Sequence, residues 1–217
     1  MRDSEFVQDA TYADHFGAYK SILNRVLDHD PAMFELPVGI RIVDIGCGYG
    51  DLLKLLRSRG HTNLMGVEPD LTCLEGARKE GFEVREGTLT ATGLPDACTD
   101  AVIVSMVFHH VDDYDAAIRE VARVLKPGGL LCVMEPAPTV LRTLMDFLTF
   151  KTPLPRISKS VGQRYAVMKL EIETGLYPKF LAEQKSFHAI LQGRFEKVWL
   201  RRAWFFQFGK YRLRSPV

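Results

Sequence analysis

The chain lacks paired cysteines, long apolar runs and low-complexity tracts, and each lack removes a class of protein. Its four cysteines, Cys47, Cys73, Cys98 and Cys132, stand apart, with no CxxC pair and no zinc-ligand spacing. This argues against a disulfide framework and fits a reducing compartment, so a cytoplasmic location is expected. No stretch reaches the ~20 apolar residues that a membrane-spanning helix needs. The opening Met-Arg-Asp-Ser-Glu does not read as a secretory leader. No internal repeat is visible. At 217 residues one domain is expected, with room for a sizeable core.

A net charge of +1 hides an uneven distribution. Residues 1–136 hold 13 Lys/Arg against 22 Asp/Glu, and residues 137–217 hold 15 against 5. Either the charge lies unevenly on solvated faces, or the later part faces an anionic substrate or an anionic surface.

What is present is a strand, a tight turn and a helix start in quick succession. The apolar run Ile40, Ile42, Val43 ends in Asp44, glycines follow at 46, 48 and 50, and Leu52, Leu53, Leu55 and Leu56 then take helical spacing. Glycines there allow positive φ and close approach of a ligand to the backbone. The pattern repeats downstream. Strands are expected at Ile42–Ile45, Asn63–Val67, Phe82–Arg85, Asp100–Ser105 and Leu130–Met134. Helices are expected at Asp51–Arg59, Leu71–Glu80 and Tyr114–Leu125, the first two closed by Gly60 and Gly81. Such alternation predicts a doubly wound parallel α/β sheet with right-handed crossovers. Its ligands sit beyond the strand C-termini. The glycine turn, Glu68, Ser105 and Glu135 all fall at such ends and should share one rim.

The flanks read differently. Ala10–Leu27 carries Tyr12, Phe16, Tyr19, Ile22, Leu23 and Val26 at helical spacing, an N-terminal helix able to cover the rim. Thr139–Phe150, a Pro-rich break (Pro153, Pro155) and a helical stretch to about Leu191 make a long connection. It reads as a helical insertion building the acceptor side. Phe195–Phe208 and Lys210–Leu213 read as a terminal hairpin turning at Gly209 or slightly earlier. Within the insertion, Val140, Leu141, Leu144, Met145, Phe147, Leu148 and Phe150 make a strongly apolar helix. It is either a core helix against the sheet or a lid over a hydrophobic acceptor, touching a membrane surface. Lys151, Arg156, Lys159, Arg164 and Lys169 follow with no acid between them, which suits an amphiphilic anion. Aromatics do not interleave with these charges as nucleic-acid binding would want.

Val43-Asp44-Ile45-Gly46-Cys47-Gly48-Tyr49-Gly50 resembles the cofactor loop of class I S-adenosylmethionine-dependent methyltransferases, and further motifs follow in order over residues 38–136. Thr90-Ala91-Thr92-Gly93-Leu94-Pro95 falls where many relatives read Asp-Ala-x-x-Leu-Pro. Asp100 through Asp112 and Arg123–Gly129 resemble the small-molecule (type 11-like) branch, which includes methyltransferases of quinone biosynthesis. The resemblance implies a Rossmann-like, seven-stranded, mostly parallel sheet with helices on both faces and the last strand antiparallel. It divides one methyltransferase domain into a cap (1–37), a cofactor-binding core (38–136), the insertion (137–192) and a hairpin (193–217).

The same resemblance implies site roles. Asp44 would order the loop and reach the donor's amino group; Gly46, Cys47, Gly48 and Gly50 would bring backbone to the donor. Glu68, followed by Pro69, would grip the ribose hydroxyls, since a carboxylate accepts two hydrogen bonds at once. Thr90 and Ala91 would face the adenine, with Thr90 replacing the family's Asp. Ser105 and Met106 would line the methyl side, and Tyr12 and Tyr19 would close over the donor. For the reaction, His109 and His110 are base candidates; neighbouring side chains diverge, so at most one should reach the cleft well. Glu135 can bind an acceptor's amine, act as base, or serve structurally. Two adjacent histidines without further ligands do not make a metal site.

The expected function is methyl transfer to an O, N or C nucleophile of a small, anionic or amphiphilic metabolite. Two alternatives stay open: a methyltransferase-like binding protein without turnover, and a nicotinamide-linked oxidoreductase. Against the latter, Asp51 stands where the dinucleotide fingerprint wants Gly or Ala, and puts negative charge where a pyrophosphate would dock.

Overall fold

In a computed structural model, described over residues 35–215 apart from 159–160, 163–164, 166–167 and 170–171, the apolar runs become a seven-stranded sheet. The elements are β1 (Ile42–Ile45), α1 (Asp51–Ser58), β2 (Leu64–Glu68), α2 (Leu71–Lys79), β3 (Glu83–Glu86), β4 (Thr99–Ser105) and α3 (Tyr114–Val124). After them come β5 (Leu125–Pro136), α4 (Val140–Phe150), a helical turn at Leu154–Ile157, α5 (Leu176–Ala182), α6 (Gln184–Arg194), β6 (Phe195–Ala203) and β7 (Phe206–Leu213). Strand order is β3-β2-β1-β4-β5-β7-β6. Pairings among the first five strands are parallel, and β7 runs antiparallel to both neighbours. The Rossmann-like expectation holds, including its single reversed strand.

Alternation along the strands feeds two cores. Val43, Ile45, Val102, Val104, Leu131 and Val133 point to the face covered by α3, α5 and α6, where Phe180, Phe187 and Leu191 are buried. Ile42, Ala101, Ile103, Cys132 and Met134 point to the other face, against Leu52, Leu53 and Leu56 of α1. Each fully buried Val, Leu, Ile or Phe contributes roughly 1.5–3 kcal/mol. Because both faces are covered, the central strands carry no polar alternation, which is why they are continuous apolar runs in the sequence.

Helix starts explain where the loops point. Asp70 caps α2 by accepting from the Cys73 N–H at 2.8 Å, and Asp113 caps α3 from the Ala116 N–H at 2.9 Å. Helix α1 has no side-chain cap; left-handed Gly50 precedes it and Asp51 places an acid in its first turn, where the helix dipole favours one. The loop after β3 is tied to α3: Thr92 donates to Glu120 through both N–H and hydroxyl, and Arg123 binds Glu120 and Asp96. Those hydrogen bonds hold the Glu120 carboxyl down at about 2.

Three expectations shift. Strand β5 begins at Leu125 rather than Leu130, because Leu125 already pairs with Thr99 while Lys126–Gly129 loops out before Leu130 pairs with Ala101. The terminal hairpin turns at Trp204 and Phe205, earlier than Gly209, which lies inside β7 opposite Val133. Any Cβ at Gly209 would meet the Tyr211 ring at 2.5 Å, so this glycine serves packing. Helix α4 is not a core helix: it buries Arg142 and Thr149 and exposes Val140, Leu141, Leu144 and Phe147. Polar bonds hold it instead. Thr139 donates to the Trp204 carbonyl at 2.5 Å, and the Arg142 guanidinium donates to the Phe205 carbonyl at 2.9 Å.

Gly66 in β2 lies against Cys47; a Cβ there would stand 2.4 Å from the Cys47 sulfur. Gly66→Ala is expected to cost about 1–3 kcal/mol, measured by denaturant unfolding, and adding Cys47→Ala should recover part of the loss.

Candidate functional site

The carboxyl ends of β1, β2, β4 and β5 form one rim, and the sequence-predicted residues of the core gather there. Gly46, Gly48 and Gly50 have φ of 79°, 52° and 79°, so all three sit in the left-handed region that glycine adopts without strain. Gly46 has a second reason: a Cβ would lie 2.3 Å from a Val107 methyl. The turn is pinned from beneath. The N–H groups of Gly46 and Cys47 both donate to the Val67 carbonyl, at 2.7 and 3.1 Å, and the Gly50 N–H donates to the Cys47 carbonyl at 2.9 Å. Cys47 is buried with its side chain toward Gly66, and burial with two nearby acids pushes its thiol up, so it is no nucleophile. Only its backbone lies in the turn.

Two acids stand beside this turn. Glu68 is buried at the end of β2 and accepts from the Gly48 N–H at 2.8 Å with one oxygen and from the Asp70 N–H at 3.0 Å with the other. Burial raises its carboxyl, against those two donors. Pro69 lies between the residues so joined and is partly exposed. Asp44, 1% exposed, has a carboxylate oxygen with no hydrogen-bond partner. Burial, and then the Glu68 charge, push its carboxyl up to about 8. An unpartnered buried carboxylate costs about 1–3 kcal/mol or more, and a cationic group reaching that oxygen would relieve it. A ligand carrying an ammonium group fits this vacancy in the bonding; a pyrophosphate does not.

Thr90 and Ala91 lie in the loop after β3, Thr90 partly exposed with its hydroxyl 3.2 Å from that of Thr88, and Ala91 exposed. Ser105 and Met106 lie at the end of β4, both partly exposed; Met106 has φ of 63°, unusual for a residue with a Cβ, and its N–H donates to the Met134 carbonyl. Tyr12 and Tyr19 lie outside the described residues.

A second buried carboxylate closes the other end of the rim. Glu135, fully buried at the end of β5, accepts from the Val107 and Phe108 N–H groups at 2.8 and 2.7 Å through one oxygen. Its other oxygen is 2.7 Å from Nδ1 of buried His109. Burial pushes the Glu135 carboxyl up to about 8, with the backbone donors pulling against it. The His110 ring lies 4.0 Å from that of His109 between centroids, tilted against it by 40°, and is partly exposed. Burial, and next His109, hold the His110 imidazole well below its ordinary range. Among the described residues, no group of three His, Cys, Asp or Glu stands together as a metal site would require.

Sequence reasoning missed the wall around this pair. Tyr177 of α5 meets His109 edge to face at 5.6 Å, its hydroxyl is buried without a partner, and the Arg142 guanidinium lies over its ring at 5.4 Å. A lone cation inside an otherwise apolar helix was the available signal for Arg142. Nothing local marks Tyr177.

A family model described as a methyltransferase domain matches residues 43–133. The demethylmenaquinone methyltransferase of Thermus thermophilus is 35% identical over 138 residues, 59% of this chain and 63% of that protein. The ubiquinone biosynthesis O-methyltransferase of a Chelativorans species is 35% identical over 121 residues, 53% of this chain and 46% of that protein. The chain thus spans less than two thirds of the length of these relatives. An S-adenosylmethionine-dependent methyltransferase of Thermotoga maritima shares the fold, with a TM-score of 0.59 at 20% identity over 90% of this chain and 98% of that one. With the glycine turn, the acid ending β2 and, among the described residues, a single reversed strand, β7, the chain carries over residues 43–133 a match to a methyltransferase domain, set in a fold shared with S-adenosylmethionine-dependent methyltransferases.

Proposed function

We propose that this chain transfers a methyl group from S-adenosylmethionine to an O, N or C nucleophile of a small acceptor. The observation that carries the reading is the pair of buried acids, Asp44 and Glu68, flanking the left-handed turn, with one Asp44 oxygen unpartnered. S-adenosylmethionine, when bound, supplies a methyl carbon already activated by a positively charged sulfur, and leaves as S-adenosylhomocysteine.

The chain's part is alignment, which in favourable cases is worth ~7–11 kcal/mol. Asp44 receives the donor's ammonium at its unpartnered oxygen. Glu68 keeps lone pairs for the two ribose hydroxyls while the Gly48 and Asp70 N–H groups hold its orientation. Gly46, Cys47, Gly48 and Gly50 present bare backbone, Pro69 directs the chain away after Glu68, and Thr90 with Ala91 flanks the adenine. Ser105 and Met106 border the reacting carbon. Residues 137–192 form the acceptor wall.

Proton handling falls to the second cluster. Glu135 fixes the His109 ring, and His110 beside it is the base candidate for an acceptor hydroxyl, a weak one because burial disfavours its charged form. Relatives are named as C- and as O-methyltransferases of quinone biosynthesis, and a ring-bearing, amphiphilic acceptor is in keeping with those names. The oxidoreductase alternative has no support in this geometry; a binding protein without turnover differs only in giving no methylated product.

Calorimetric titration tests the donor site. S-adenosylmethionine and its demethylated product should bind and NAD should not. Glu68→Ala should weaken donor binding by about 1.5–3 kcal/mol, roughly 10- to 150-fold, through lost charge-assisted hydrogen bonds; unchanged affinity removes the ribose assignment.

Asp44 makes that binding proton-linked. With its carboxyl near 8, roughly nine tenths is protonated at pH 7, and the donor's cation drives the proton off. Binding at pH 7 should therefore release close to one proton, read from the dependence of enthalpy on buffer ionisation heat. The release should shrink above pH 9 and vanish in Asp44→Asn.

Glu135→Ala strands two backbone N–H groups and His109, and should cost about 1–3 kcal/mol for each buried donor left unsatisfied. Glu135→Gln keeps an acceptor for both N–H groups and should cost far less. The native carboxyl holds its proton to about 8 where the unfolded one releases it near 4.5, so its contribution to stability falls as pH rises through that window. Glu135→Gln should flatten that part of the stability profile.

A further inference from the structure

Helix α4 is inside out, and the hairpin tip beside it shares the property. Val140, Leu144 and Phe147 recur at i, i+4 and i+7 on one face and are 89%, 53% and 56% exposed, with Leu141 at their side. Arg142 and Thr149, seven residues apart on the opposite face, are the buried ones. Trp204, 61% exposed, occupies the tip of the β6–β7 hairpin in the left-handed region. The two elements are fastened together: the Thr139 hydroxyl donates to the Trp204 carbonyl, and the Ala137 N–H and Arg142 guanidinium donate to the Phe205 carbonyl. The exposed apolar side chains of α4 and the indole of Trp204 therefore belong to one fixed unit at the end of β5, on the rim where Glu135 lies.

Cations border this unit. Lys151 ends α4, Arg156 lies in the following helical turn, and Arg202 and Arg201 precede Trp204 by two and three residues; all four are exposed. The only carboxylate in α4 is Asp146, which is partly buried.

We propose that this face, α4 with the Trp204 tip, docks on an anionic lipid surface. An in-plane amphipathic helix buries its apolar side ~5–10 Å into the boundary between headgroups and acyl chains. Tryptophan concentrates at that depth because its ring is apolar and its N–H is polar. Lys and Arg beside the surface are attracted to anionic headgroups. A protein partner or a second copy would bury the apolar stripe equally well, but neither calls for a border of solvent-exposed cations beside an interfacial Trp. At 11 residues α4 lies on a bilayer and does not cross it. Surface docking itself does not depend on the methyltransferase reading. Its consequence does: an amphiphilic acceptor would reach the rim sideways from the lipid.

The test is flotation of the full chain with phosphatidylcholine vesicles, with and without phosphatidylglycerol. Binding should require phosphatidylglycerol and weaken with salt. It should drop roughly tenfold or more in Lys151→Glu/Arg156→Glu, and be lost in Leu144→Asp/Phe147→Asp. In a Trp199→Phe background the remaining Trp204 emission should shift to the blue on adding anionic vesicles. The proposal is overturned if anionic vesicles bind no better than neutral ones, or bind wild type and Leu144→Asp/Phe147→Asp alike. It is equally overturned if the wild-type chain ignores vesicles but forms a dimer that Leu144→Asp abolishes, or if Leu144→Asp lowers the melting temperature as an internal residue would. None of these readouts uses methyl transfer, so failure here and failure of the donor titration are separate results.

Discussion

The hydrogen bond from the Gly48 N–H to the buried Glu68 carboxylate ties the first turn to the second strand, and the donor edge depends on it. It spans 2.8 Å between residues twenty apart in sequence. Without it, the turn would keep only the Gly46 and Cys47 bonds to the Val67 carbonyl and the Gly50 bond within itself. With it, the turn is fixed by β2 from two sides, since the Val67 carbonyl takes the Gly46 and Cys47 N–H groups as well. The same arrangement recurs across the sheet, where Glu135 at the end of β5 collects the Val107 and Phe108 N–H groups of the loop after β4. In both places a buried acid at a strand end anchors the backbone of a neighbouring loop. The fold thereby keeps two carboxylates inside a dry rim, and burial raises both.

The parallel core was legible because its physics is local. Strands buried on both faces must be apolar throughout, so Asp100–Ser105 declared itself, and glycines at 46, 48 and 50 announce a turn that only they adopt freely. The acids at 44, 68 and 135 were legible by position, each ending an apolar run. Their partners were not, because no sequence pattern says that Glu135 will meet His109 or that an Asp44 oxygen will be left alone.

The periphery was harder for a different reason. An apolar helix is normally a buried one, and α4 departs from that rule because Arg142, rather than its leucines, faces inward to a backbone carbonyl. Tyr177, thirty-five residues further on, meets Arg142 only through the folding of the insertion. The hairpin misled for a similar reason: a glycine in a terminal strand looks like a turn, but Gly209 makes room for the Tyr211 ring while Trp204 takes the turn itself.

Helix α4 hangs from the hairpin through a few bonds to the carbonyls of Trp204 and Phe205, which any side chains at those two positions would offer. A segment attached to main-chain oxygens makes few demands on the residues beneath it. Such a segment can change length and composition at little cost to the parallel strands, whose own packing and hydrogen bonds do not run through it.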